Sequence, residues 1–182
     1  MAWMIILGLV VLVMIVIGMY NSLVRLRAAC DSAWADIDVQ LKRRYDLIPN
    51  LVETVKGYAA HEKSALEAVI NARAKAMSAQ GPADKADAEN MLSQSLKSLF
   101  ALAEAYPQLR AVESFTQLQN SLNQIEDAVQ NARRYYNAVV RDYNSKRLEI
   151  PTNFIATLFN FEGRQFFELR DTVQREPPKV QF

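Results

Sequence analysis

His61 stands directly before Glu62, which opens the H-E-x-x-H pattern in which two imidazoles one helical turn apart share a zinc ion. Position 65 is Ala65, and the chain has no second histidine. The zinc pair is therefore incomplete, and His61 reads as an imidazole on a helix surface. Carboxylates occur close together at Asp36/Asp38 and at Glu126/Asp127, but residues one or two apart do not share a helix face and cannot form a general acid–base pair. A di-metal centre inside a helical bundle needs a Glu-x-x-His on each of two helices, which one histidine cannot supply. Cys30 is the single cysteine, excluding an intrachain disulfide and a cysteine-rich zinc site. The sequence contains no G-x-G-x-x-G, G-K-[ST] or G-x-S-x-G. Every template for catalysis lacks members, so the chain reads as a non-enzyme with no catalytic, cofactor-binding or metal-binding residue.

The remaining polar groups with recognisable spacing are basic: Lys42-Arg43-Arg44, Arg133-Arg134-Tyr135-Tyr136-Asn137 and Arg141-Asp142-Tyr143-Asn144. On helices these read as solvated or salt-bridged faces, with anionic headgroups as the sharper alternative for basic residues close to a membrane. Six of the eight phenylalanines, Phe154, Phe159, Phe161, Phe166, Phe167 and Phe182, follow residue 153. They read first as a cap on a core, and alternatively as a contact surface for a partner or for lipid.

The elements that must position these groups follow from the distribution of charge. The chain has 182 residues, with 21 Lys and Arg against 20 Asp and Glu, and every one of these lies at or after Arg25. The near-neutral total argues against a nucleic-acid binder, which carries a basic excess. Residues Met1–Met19 hold neither charge nor proline, and at about 1.5 Å per residue they cover roughly the 30 Å hydrocarbon core of a bilayer. A cleaved signal peptide would carry a cationic start, a shorter apolar run and a small-residue cleavage site. Here only Met1-Ala2 precedes the run, and Gly18-Met19-Tyr20-Asn21-Ser22 follows it. A lipoprotein cysteine is disfavoured too, because Arg27-Ala28-Ala29 puts a charge before Cys30. The segment is expected to be an uncleaved, single-pass anchor over residues 1–20, bracketed by Trp3 and Tyr20 at the interfaces. Arg25 and Arg27 follow it and no basic residue precedes it. The positive-inside rule therefore predicts an outside N-terminus and a cytoplasmic bundle.

Beyond Tyr20 no stretch alternates with period 2 for long enough to predict a strand. Phe115, Leu122, Val129, Tyr136 and Tyr143 recur every seven residues, followed at three positions by Leu118, Ile125, Ala132 and Val139. That is a continuous packing stripe for a coiled coil or an antiparallel bundle. The first soluble helix is expected from about Asn21 to about Ala79, with Cys30, Ile37, Leu51, Tyr58 and Ala65 in one register and Trp34, Leu41, Ile48, Val55 and Val69 in the other. Arg44 and Glu62 interrupt these stripes. Pro49 predicts a kink or a restart capped by Asp46. A second helix is expected from about Asp84 to Tyr106, a third from Leu109 to Leu148, and a short apolar one after Ile150-Pro151. The fold class is thus all-α: an N-terminal transmembrane helix, then an antiparallel bundle of three long helices plus a short C-terminal helix over residues 21–170. Residues 171–182, with two prolines, are expected to form an extended tail.

The ordered set Trp34-Ala-Asp-Ile-Asp-Val-Gln-Leu-Lys-Arg-Arg-Tyr-Asp-Leu-Ile-Pro-Asn-Leu-Val52, Val55-Lys-Gly-Tyr-Ala-Ala-His-Glu62, Ala105-Tyr-Pro-Gln-Leu109, Ala132-Arg-Arg-Tyr-Tyr-Asn137, Ile150-Pro-Thr-Asn153 and Pro178-Lys-Val-Gln-Phe182 strongly resembles the LemA family. The resemblance implies a bacterial membrane protein with an N-terminal anchor and a soluble helical bundle, and it implies no catalytic activity. It includes kinship with magnetosome-membrane proteins involved in forming vesicles, which points to scaffolding, and with components of membrane stress or proteolysis. The expected function is a self-associating, membrane-organising structural protein of the bacterial inner membrane. Its expected partners are lipid and further copies of itself, with a membrane protein as a further possibility. The alternative is a monomeric or dimeric adaptor for a membrane protease or stress-response complex.

Overall fold

A computed structural model describes residues 1–168 of the chain, and the expected tail lies outside the described residues. Six helices follow one another: α1 (Ala2–Lys56), α2 (Lys63–Ser78), α3 (Gly81–Ala103), α4 (Pro107–Arg110), α5 (Glu113–Leu148) and α6 (Thr152–Leu158). No strand occurs among the described residues. The architecture is a long N-terminal apolar helix followed by a helical bundle, in agreement with the all-α expectation. Contacts group the described residues into two compact units, one of Met1–Val39 with Val129–Phe166, the other of Gln40–Ala128 with Phe167 and Glu168. Helices α1 and α5 each contribute to both.

The heptad stripe of α5 packs as its spacing requires. Phe115, Leu122, Val129, Tyr136 and Tyr143 are all buried, whereas Leu118, Ile125, Ala132 and Val139 are only partly covered. In the first unit Trp34 stacks beside Tyr136 at 5.3 Å between ring centroids, and Arg27 and Cys30 lie near Tyr143. Residue numbers fall along α1 as they rise along α5, so the two run antiparallel.

Of the kink or restart expected at Pro49, the restart does not occur: α1 continues through it to Lys56. Proline lacks the N–H that would bond to the carbonyl four residues earlier, and that carbonyl belongs to Tyr45. Arg73 of α2 supplies the replacement, its Nε donating to the Tyr45 oxygen at 2.8 Å. A charge-assisted hydrogen bond of this kind contributes about 1.5–3 kcal/mol, enough to offset much of the penalty of a proline inside a helix. Arg73→Met is accordingly expected to destabilise the full chain by an amount in that range, and by clearly less in a Pro49→Ala background, where residue 49 regains its N–H. Denaturation of the four proteins in detergent checks this; equal losses in both backgrounds would contradict it.

The real break comes eight residues later. Residues 57–62 form a turn closed by the Ala59 N–H donating to the Val55 carbonyl at 2.8 Å and the Glu62 N–H to the Ala59 carbonyl at 3.0 Å. The reason is legible in the stripe: Trp34, Leu41, Ile48 and Val55 are followed at the next heptad by Glu62, and a continuous helix would carry that carboxylate into the core. The turn leaves Glu62 partly exposed at the head of α2, accepting a hydrogen bond from the Tyr106 hydroxyl at 3.0 Å. Gly81, with φ of +76°, takes the left-handed turn into α3, and α2 and α3 pack against each other. The expected third helix is likewise divided, with α4 started by Pro107 and α5 beginning at Glu113.

Candidate membrane surface and a buried polar centre

The first unit carries the apolar surface. The most apolar 18-residue window of α1 has a mean hydropathy of 2.9, and none of it is buried against the rest of the chain. By length and composition this helix can cross a membrane. Trp3 is 84% exposed at its start, and Arg25 and Arg27 are exposed beyond its end. Tyr20 does more than mark a boundary. Its ring meets Phe159 edge-on at 4.9 Å and Phe161 at 5.6 Å between centroids.

The phenylalanines divide by exposure. Phe161 and Phe167 are buried, whereas Phe154, Phe159 and Phe166 remain exposed; Phe182 lies outside the described residues. The segment that buries Phe161 is held by polar residues of α5. The Tyr136 hydroxyl donates to the Gln165 carbonyl at 2.9 Å and the Tyr143 hydroxyl to the Glu162 carbonyl at 2.8 Å. Asn144 pairs with both main-chain groups of Arg164 at 2.9 Å, and the Arg164 guanidinium reaches Asp31 of α1 at 2.7 Å. Tyr136, Tyr143 and Asn144 therefore hold the chain internally, whereas Arg134, Tyr135 and Arg141 stay exposed. Cys30 is buried, and that burial pushes its thiol pKa up, away from the reactive thiolate.

The second unit hides a charged cluster. Arg44, expected on a solvated or salt-bridged face, is salt-bridged but buried. It occupies the heptad position between Ile37 and Leu51, so its side chain must point into the bundle. Its Nη1 donates to Glu89 Oε2 of α3 at 3.1 Å and its Nη2 to Ser93 at 2.9 Å. Nη2 also lies 3.1 Å from Glu126 Oε2 of α5. The Tyr45 hydroxyl donates to the other Glu89 oxygen, and Lys85 Nζ sits 5.7 Å from the centroid of the Tyr45 ring. With Arg73 bonded to the Tyr45 carbonyl, α1, α2, α3 and α5 all send polar groups to one centre. The Glu126/Asp127 pair is split by it: Glu126 faces Arg44 while Asp127 is exposed. Lys42 and Arg43 remain on the surface.

Burial raises the Glu89 carboxyl pKa, opposed by the Tyr45 hydrogen bond and by Arg44. The folded protein thus holds the Glu89 proton more tightly than the unfolded chain does. Its contribution to stability is complete below the ordinary value of 4.5 and is lost as pH rises through the raised folded value. The stability difference between the native protein and Glu89→Gln should therefore shift against the native protein as pH increases from about 4.5. Denaturation midpoints across pH check the sign.

His61 is exposed in the turn after α1 instead of on a helix, and Asp36 and Asp38 are exposed on α1. No group of three or more His, Cys, Asp or Glu able to hold a metal occurs among the described residues. What sequence reasoning missed is the polar centre. The signal was present: a charged residue in register with Ile37 and Leu51 on α1, and Glu89 three residues before Leu92 in the apolar stripe of α3.

The chain is 24% identical to the magnetosome protein MamQ 2 of Paramagnetospirillum magneticum, over 82% of this chain and 64% of that protein. It is 23% identical to the magnetosome protein MamQ of Magnetospirillum gryphiswaldense, over 89% of this chain and 69% of that one. With the protein LemA of Metamycoplasma hominis it shares 25% identity over 84% of this chain and 70% of that one. The chain spans a little under two thirds of the first relative's length. A sequence profile of the LemA family matches residues 33–182, a stretch that takes in the helices supplying the polar centre and the α5 residues that hold the C-terminal segment, and the chain accordingly belongs to the LemA family.

Proposed function

We propose that this protein is a membrane-anchored, non-enzymatic structural protein that self-associates and organises the bilayer or a scaffold upon it. The observation that carries the reading is the continuity of α1. The apolar span and the first packed residues of the bundle, from Leu23 to Val39, belong to one uninterrupted helix. With no glycine or proline between Gly18 and Pro49, the first unit cannot swivel freely on its anchor. Copies held in a common orientation meet through the same surfaces repeatedly, which is the geometric condition for lateral assembly. Relatives named as magnetosome proteins support a role at a membrane-associated structure.

The bundle faces the cytoplasm in this reading, because Arg25 and Arg27 follow the span closely on the bundle side. Cys30 is buried, so a cysteine introduced at exposed Ala83 reports topology over a quiet background. It should resist impermeant thiol reagents in intact cells; ready labelling would reverse the orientation. Mass measurement of the full chain in nanodiscs tests assembly. A defined oligomer is expected, and a strict monomer at working concentration would remove the proposal. The adaptor reading separates in crosslinking, where a dominant foreign membrane protein would replace self-links.

A further inference from the structure

Within the first unit the chain returns to the place where α1 leaves its apolar run. Tyr20, the residue after Met19, packs against Phe159 at 4.9 Å and Phe161 at 5.6 Å. Just before these rings lies α6, Thr152–Leu158. Its inner face is satisfied, since Thr152, Ile155 and Ala156 are buried. Its outer face is not polar. Phe154 and Leu158, spaced four apart and so aligned along one side, are 67% and 71% exposed, Phe159 beside them is 50% exposed, and Ile150 in the turn before the helix is 78% exposed. No charged residue occurs between Glu149 and Glu162.

Single exposed apolar residues are ordinary, but an aligned group adjoining an apolar span is not. The polar interface of a bilayer is roughly 5–8 Å thick on each side of the hydrocarbon core. Phe159 is tied to the level of Tyr20, at the end of the apolar run. Phe154 lies five residues away, at most roughly 7.5 Å of helical rise. The first charge on α1, Arg25, comes about 7.5 Å beyond Tyr20. The outer face of α6 is thereby held within the depth of the interface when α1 spans the membrane.

We propose that α6 and Phe159 form a second membrane contact: Phe154, Leu158 and Phe159 insert into the headgroup–acyl boundary of the leaflet from which α1 emerges. Continuity with the bare span favours lipid as the occupant, because any protein covering this face would also have to displace lipid from the end of α1. The contact would fix the tilt of the first unit by attaching it at two points. It rests on α1 spanning the membrane and not on self-association, so a monomeric protein would leave it standing.

Depth measurement tests it. The full chain carrying Cys30→Ala with Phe154→Cys or Leu158→Cys is labelled with a nitroxide and placed in nanodiscs of phosphatidylcholine and phosphatidylglycerol. Arg141→Cys on exposed α5 serves as the aqueous control, and circular dichroism confirms that each variant folds. At 154 and 158 collisions with oxygen should exceed those with an aqueous nickel chelate several-fold, with the reverse order at 141. Chelate-dominated collisions at both sites would place the patch in water and overturn the proposal. Low collision with both reagents would mean a second copy or another protein covers the patch, which overturns it equally.

Discussion

Glu89→Ala is expected to lower the stability of the full chain by about 3–5 kcal/mol, because it leaves the buried Arg44 guanidinium without its closest buried carboxylate. For a chain of this size that corresponds to a fall of roughly 6–20 °C in melting temperature. Arg44→Ala should cost a comparable amount by stranding Glu89, buried on α3. The double replacement Arg44→Met/Glu89→Met should cost far less than the sum, since two charges that are removed together leave neither uncompensated. Thermal melts of the four proteins in detergent complete the cycle. Additive losses would mean that the two side chains act independently and that the 3.1 Å contact between them carries no coupling. Ser93 and Glu126 also contact Arg44, so Glu89→Ala is expected toward the lower end of the range.

The second large effect concerns the span. Between Ala2 and Met19 there are eleven Ile, Leu and Val residues, each favouring insertion by about 0.3–0.6 kcal/mol near the helix centre, for a total of roughly 3–7 kcal/mol. One arginine at mid-span costs about 2.5–3.5 kcal/mol, so Val13→Arg leaves the segment near balance. Leu9→Arg/Val13→Arg costs about 5–7 kcal/mol and removes two favourable residues as well. The double variant should be lost from carbonate-washed membranes while the single one is partly retained. Nothing in the span is buried against the bundle, so the helical signal beyond residue 20 should survive in the released protein. Retention of the double variant would show that the span does not anchor the chain. Carbonate strips peripheral attachment, so the α6 contact alone would not mask the result.

Much of the molecule was legible because its helices are long and their periodicity is sustained. Phe115 through Tyr143 repeat every seven residues with no exception, and each is buried where the repeat puts it. The apolar run was equally plain, since Met1 to Val24 contains no charge. Pro49 misled because its local penalty is offset by Arg73, which is 24 residues further along the sequence and close only after α2 has folded back. Arg44 misled for a related reason: its charge suggested solvent, and its heptad position suggested core. Burial follows position whenever partners exist, and those partners, Glu89, Ser93 and Glu126, come from other helices.

The six late phenylalanines show the limit most directly. Composition concentrates them near the end of the chain, but nothing in their order says that Phe161 and Phe167 turn inward while Phe154 and Phe159 stay exposed. That division depends on Tyr136, Tyr143 and Asn144 holding the main chain of residues 162–165 and on Tyr20 receiving Phe159 and Phe161. The sequence by itself determined the apolar run, the helical class, the main packing stripes and the family, because each is written in local periodicity or in contiguous composition. Only the tertiary structure decided that α1 runs on through Pro49, which charges are buried and which aromatic rings stay exposed, because each of those depends on groups far apart in the chain that meet only when the helices pack.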